Sequence, residues 1–311
     1  MSGRPIAGRD LANLILAAAC WGLGTVVSKR ALAELPAPTL LAIQLTVSVA
    51  VLGVLLARRR EAARNRAPAA LGRLGLLNPG LAYALSLLGL LSISASLSVL
   101  LWALEPLLIV VLAAWVLGER LSRRLGGLTV LAVAGMAVVV FDPDGGGSLV
   151  GVGLTVAGIA CCAVYSVITR RWLPGADSTG DVVLAQQAYG LLFAVGLTAA
   201  VFIVGGAVAP FTLSAAGVAS AIVSGVLYYA AAYWFYLAAL RNLPASRAVI
   251  SFYLIPIVGV AGGALLLGER LDIRQWIGAA IVLAAVVASA REPGAAVAER
   301  GPAVRPVPGG P

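Results

Sequence analysis

One acidic side chain stands deep within an apolar run. Glu105 lies in Leu104-Glu105-Pro106, and Ser94, Ser98, Trp102 and Glu105 fall at i, i+4, i+8 and i+11, one face of one helix. A carboxylate at mid-bilayer is unfavourable by about 2.5–3.5 kcal/mol, so it is expected to face the protein interior. There it can hold a substrate ammonium group or carry a proton. A carboxyl bonded to a neighbouring helix is the competing structural reading. Other apolar stretches carry similar stripes: Trp21, Thr25 and Ser28; Gln186, Tyr189 and Phe193; Tyr229, Tyr233 and Tyr236. Gln44, Tyr83, Tyr165, Ser251 and Tyr253 are isolated polar or aromatic positions in further runs. The expected cavity set is Trp21, Gln44, Tyr83, Ser98, Trp102, Glu105, Tyr165, Gln186, Tyr229, Tyr233, Ser251 and Tyr253. At any single Tyr or Ser, packing or an interhelical hydrogen bond competes with this reading. Such a lining suits a small amphipathic solute, and aromatic rings can stack on a ring or hold a cation.

Other chemistries are disfavoured. The chain has no histidine, which removes Ser-His, Cys-His and His-metal arrangements. Cys20, Cys161 and Cys162 lie inside apolar segments, two of them adjacent and the count odd, so a disulfide framework or metal site is not expected. No cofactor is implied, and an enzyme is not expected. No cluster of Lys or Arg interrupts the apolar runs, which argues against a strongly anionic substrate.

These residues must be positioned by helices in a bilayer. Of 311 residues, 61% are hydrophobic and only 11% charged, with a mean hydropathy of +1.00. Soluble domains carry about 25% charge. A crossing helix needs about 20 apolar residues. Ten segments fit, near 11–30, 38–57, 74–92, 94–117, 125–141, 149–172, 182–204, 213–240, 246–267 and 273–290. Residues 291–311, with five prolines, are expected to form a disordered tail. The net charge of +9 is a matter of topology, not of nucleic-acid binding. With a cytoplasmic N-terminus, 18 of the 22 Lys and Arg fall on the cytoplasmic side and four on the other. Both termini are therefore expected in the cytoplasm.

The chain also repeats itself. Residues 104–121 and 254–271 share nine identities in eighteen at an offset of 150, including Pro106/Pro256 and Leu-Gly-Glu-Arg-Leu at 117–121 and 267–271. Five spans separate the copies. The second copy must then be upside down, an arrangement typical of transporters. The expected fold is all-α, with ten transmembrane helices in two inverted five-helix repeats, 1–145 and 146–290. Gly118 and Gly268 are expected to end helices, and Asp272 with Gln275 has capping-box spacing. The Glu-Arg pairs are expected to hold the helical hairpins at these turns. Pro106 and Pro256 are expected to kink their helices at mid-membrane and serve as paired hinges. Gly259 and Gly263 offer a small face for close helix contact.

These residues carry a resemblance. Trp21-Gly22 with Ser28-Lys29-Arg30, and each proline followed by Leu-Gly-Glu-Arg-Leu, resemble the drug/metabolite transporter superfamily and its ten-helix EamA-type exporters over about 11–290. Within it the chain is similar to bacterial inner-membrane exporters of amino acids, aromatic and neutral ones included. The resemblance implies a central cavity, alternating access, a small-molecule substrate and a lipid environment, with no nucleic-acid partner. Protons are a further candidate partner. Carriers of cationic drugs or nucleotide-linked sugars in the same fold are the alternative. Glu105 departs from the apolar or small residue usual before that proline.

Overall fold

The computed structural model describes residues 8–58, 69–117, 123–140, 148–172, 179–204, 214–240 and 252–290. Ser251, the first Gly-Glu-Arg-Leu copy at 118–121 and the tail at 291–311 lie outside them. Among the described residues every regular element is helical. Eight helical stretches are long and apolar enough to cross a membrane, and two shorter apolar ones complete ten passes.

The passes are α1 (Gly8–Ala31), α2 (Ala37–Arg58), α3 (Ala69–Ser92), α4 (Ala95–Trp102 continued by Glu105–Leu117), α5 (Arg123–Val140), α6 (Leu149–Trp172), α7 (Thr179–Ile203), α8 (Ala215–Ser224 and on to Ala232–Leu240), α9 (Leu254–Leu267) and α10 (Ile273–Ala290). The outward surface is apolar: Trp115, Ile203, Val204 and Leu265 are all more than four-fifths exposed. Lipid can cover such a surface and water cannot.

Packing follows the repeat. α1 lies against α8 and α9, and its counterpart α6 lies against α3 and α4. α2 meets α7 and α8, while α7 meets α2 and α3. α4 meets α9, and α5 meets α10. Exchanging the two halves thus maps each of these contacts onto another, as a two-fold axis requires.

Glycine permits the closest approaches. A Cβ on Gly22 would meet the backbone of Ile255 and Gly259 at 2.8 and 2.9 Å, so only glycine lets α1 lie on α9. Gly225 of α8 sits on the backbone of Gln44, and its repeat mate Gly75 sits on the backbone of Gln186.

The second motif copy folds as expected at its cap. Gly268 takes φ 68°, the left-handed geometry that ends a helix. Asp272 Oδ1 accepts from the Gln275 N–H at 2.7 Å, and Gln275 Oε1 accepts from the Asp272 N–H at 3.0 Å. Glu269 does something else. Its carboxylate crosses to α4, accepting from the N–H groups of Ala95 (2.7 Å) and Ser96 (2.9 Å) and from the Ser96 hydroxyl (2.6 Å). It caps a helix of the other half rather than holding its own hairpin. At the same end Lys29 Nζ donates to the Leu90 carbonyl at 2.6 Å, closing α3. Glu34 accepts from the N–H and hydroxyl of Ser214, both at 2.8 Å, at the start of α8.

The prolines also differ from expectation. α4 is interrupted by a turn at Ala103-Leu104, and Pro106 is the second residue of the new segment. Pro256 is the third residue of α9. Both stand in a first turn, where proline's missing N–H costs nothing. The break in α4 lies beside Pro106, and α9 starts two residues before Pro256, so neither proline bends a continuous helix through itself.

Candidate functional site

A cavity of about 240 Å³ lies between the two halves. Its walls come from α1, α3, α4, α6, α8 and α9, and nearly all its positions occur as repeat mates. At an offset of 150, Asn78 answers to Tyr228, Tyr83 to Tyr233, Trp102 to Phe252, Ala103 to Tyr253, Glu105 to Ile255 and Pro106 to Pro256, and all of them line it. In α1 and α6, where Cys20 aligns with Cys161, Trp21 answers to Cys162 and Thr25 to Ser166, again all lining. The cavity therefore sits on the axis relating the halves.

Local backbone irregularity presents these residues. α3 loses α-geometry over Leu77–Leu81, with Asn78 extended at φ −142°, ψ 115°. α8 widens to a π-turn over Gly225–Ala231, the matching place. Such turns release backbone groups and redirect side chains, and they cluster at functional sites. Gln187 satisfies one released group, donating to the Tyr229 carbonyl at 3.0 Å while accepting from Ser48.

The lining is aromatic on most sides. Tyr83 stacks on Trp102 with centroids 5.5 Å apart and meets Tyr228 and Tyr229 edge-on. Trp21 meets Tyr233, Tyr236 and Phe252 edge-on at 5.3 to 5.6 Å. The polar groups gather elsewhere. The Cys162 thiol donates to Glu105 Oε1 at 3.0 Å, and Asn78 Nδ2 reaches the Cys162 sulfur at 3.5 Å. Asn78 is 5% exposed, and its Oδ1 has no partner. Among the described lining residues Glu105 is the sole carboxylic acid, and none is Lys or Arg. No group of three or more His, Cys, Asp or Glu that could hold a metal occurs among the described residues.

Trp21, Tyr83, Trp102, Glu105, Tyr165, Tyr233 and Tyr253 line the cavity with Pro106 and Pro256. Gln44 does not. It is fully buried, donating to the hydroxyls of Ser28 and Ser224 at 2.8 Å each, and so ties α2 to α1 and α8. Gln186 stands one layer out, accepting from the Tyr165 hydroxyl at 2.7 Å and donating to the Leu71 carbonyl. Ser98 and Tyr229 face a small adjoining recess that shares Thr25, Tyr83, Trp102 and Tyr228 with the cavity. Asn78, Cys162, Tyr228 and Phe252 escaped the sequence reading as site residues. Extending the 150-residue repeat through Gly75/Gly225, Leu77/Leu227, Ala82/Ala232 and Tyr83/Tyr233 would have put Asn78 and Tyr228 in register.

The fold is shared with a solved crystal structure of a protein at a TM-score of 0.63 and 19% identity, over 91% of this chain and 96% of that one. No curated protein matches the chain. The model of the EamA-like transporter family matches twice, at residues 11–141 and 149–291, one match for each half of the cavity wall. The chain belongs to the EamA-like transporter family.

Proposed function

We propose that the protein is a secondary transporter of the bacterial inner membrane that exports amino acids or related small amphipathic metabolites by alternating access. Family membership makes it a membrane transporter of the drug/metabolite type. The observation that carries the finer reading is the cavity itself, small, mainly aromatic, and shared between the repeats. Its volume, about 240 Å³, is below the roughly 300–1,000 Å³ usual for drug-sized ligands and suits one small solute. A nucleotide-linked sugar would need more room and cationic partners for its phosphates.

The two halves, 1–145 and 146–290, pivot about α4, interrupted at Ala103-Leu104, and about the start of α9, so that each end opens in turn. The Glu269 clasp on α4 and the Lys29 clasp on α3 tie one end shut. The charge bias supports an orientation with that end outside and both termini in the cytoplasm.

Counterflow in proteoliposomes tests the reading. Saturable uptake of a labelled amino acid or related metabolite, driven by the unlabelled solute inside, is expected. Counterflow of a sugar or polyamine with none for these solutes would refute the assignment of substrate.

A further inference from the structure

We infer that the Glu105–Cys162–Asn78 corner is an anchor for a substrate ammonium group, and that the ligand it fits best is an aromatic amine without a carboxylate. This rests on the reading of the cavity as the transporter's substrate site.

The corner offers acceptors. The Cys162 thiol spends its proton on Glu105 Oε1, and the Asn78 amide spends an N–H on the sulfur. What remains for a ligand is the other carboxylate oxygen of Glu105, and the Oδ1 of Asn78 is buried there without a partner. A buried acceptor without a donor forfeits its hydration, so a ligand that brings donors gains most there. An ammonium group carries N–H donors only, together with the charge that Glu105 lacks a partner for.

The repeat supplies the other pole. The mates of Glu105, Asn78 and Cys162 are Ile255, Tyr228 and Trp21. The two-fold axis thus sets an apolar and aromatic corner opposite the polar one. A small molecule with a cationic end and an aromatic end satisfies both. A carboxylate on the same molecule finds no Lys or Arg among the described lining residues and would bring a second negative charge beside Glu105. The amine is therefore preferred over its parent amino acid.

The test is calorimetric titration of the full chain with three indole ligands: tryptamine, indole-3-ethanol, which matches it in size, and tryptophan, which adds a carboxylate. Tryptamine should bind about tenfold or more tighter than each of the others, the scale of one charge-assisted hydrogen-bond set. Tryptophan or the alcohol binding as tightly as tryptamine would overturn the proposal. That comparison is made on the wild type and needs no variant to fold. Glu105→Gln should bring amine and alcohol within about threefold of each other, and Asn78→Leu should narrow the gap partway. A full amine preference surviving in Glu105→Gln would also overturn it. Saturable counterflow of amino acids without amine preference would remove the anchor and leave the carrier. Amine preference without counterflow of any solute would remove the carrier and leave the anchor.

Discussion

Glu105 was legible because a carboxylate in an apolar run is conspicuous, and the same contrast marked Trp21, Tyr83, Trp102, Tyr165, Tyr233 and Tyr253. The contrast fails for a residue whose backbone decides where it points. Asn78 reads as part of an Asn-Pro-Gly break at the start of a span, yet the extended φ,ψ at that break is what turns its amide toward the cavity. It also fails to separate a polar residue facing a cavity from one joining helices, which is why Gln44 and Gln186 belong to the second layer. Gln187 belongs there too. It is 2% exposed, with both ends of its amide bonded. Gln187→Leu would orphan the Ser48 hydroxyl and the Tyr229 carbonyl, and a loss of about 1–3 kcal/mol is expected, read as a lower melting temperature in detergent. Unchanged melting would show that the π-turn carbonyl needs no partner from α7.

At the scale of elements, helix ends and crossings carry the specificity. The Gly-Glu-Arg-Leu motif announced a helix end and its capping box, and both stand at Gly268 and Asp272. Its glutamate reaches a helix 173 residues away in sequence, a pairing that local spacing cannot reveal. Glu269→Gln leaves the Ser94 cap of α4 in place but weakens the charge-assisted bonds to Ala95 and Ser96, and should destabilise the protein by about 1–2 kcal/mol. Crossings make a second contrast. Gly22→Ala drives a Cβ into the α9 backbone and should cost about 1–3 kcal/mol. Gly53→Ala meets nothing within 4 Å and should be neutral or stabilising by up to about 1 kcal/mol. Equal melting temperatures for the two variants would contradict this packing of α1 on α9. The Glu34 clasp adds a pH signature. Hydrogen bonds from the Ser214 N–H and hydroxyl hold the Glu34 carboxyl below the usual glutamate range. A depressed folded-state pKa stabilises above the unfolded value, about 4.3, and that stabilisation is lost as pH falls through the folded one. Wild type should melt above Glu34→Gln at pH 7, and the gap should close in acid; a gap independent of pH would exclude the clasp.

The whole molecule follows from the duplication. An odd number of passes between copies dictates inversion, and every principal contact between the halves has its exchanged partner. The repeat is also why the cavity lining comes in pairs, and divergence within those pairs, Glu105 against Ile255 and Asn78 against Tyr228, gives the cavity its polar and aromatic poles. Composition showed the membrane and the helix count. It could not show the poles, because they arise only when four helices of different halves meet. Inversion itself is testable by labelling cells with a membrane-impermeant maleimide. Asp272→Cys should label on intact cells and Ser122→Cys only after permeabilisation, whereas labelling of both from one side would place the repeats parallel. The central claim is that solute passes through the cavity on the axis. Ala103 lines it, and the repeat mate of Ala103 is Tyr253, so the fold already accepts a ring at that register. The decisive measurement is counterflow in proteoliposomes for wild type and Ala103→Phe at equal reconstituted amounts and matched melting temperatures. Saturable counterflow by wild type, lost at least about tenfold when the ring fills the cavity, is the predicted result; an Ala103→Phe protein that carries solute at the wild-type rate would contradict it.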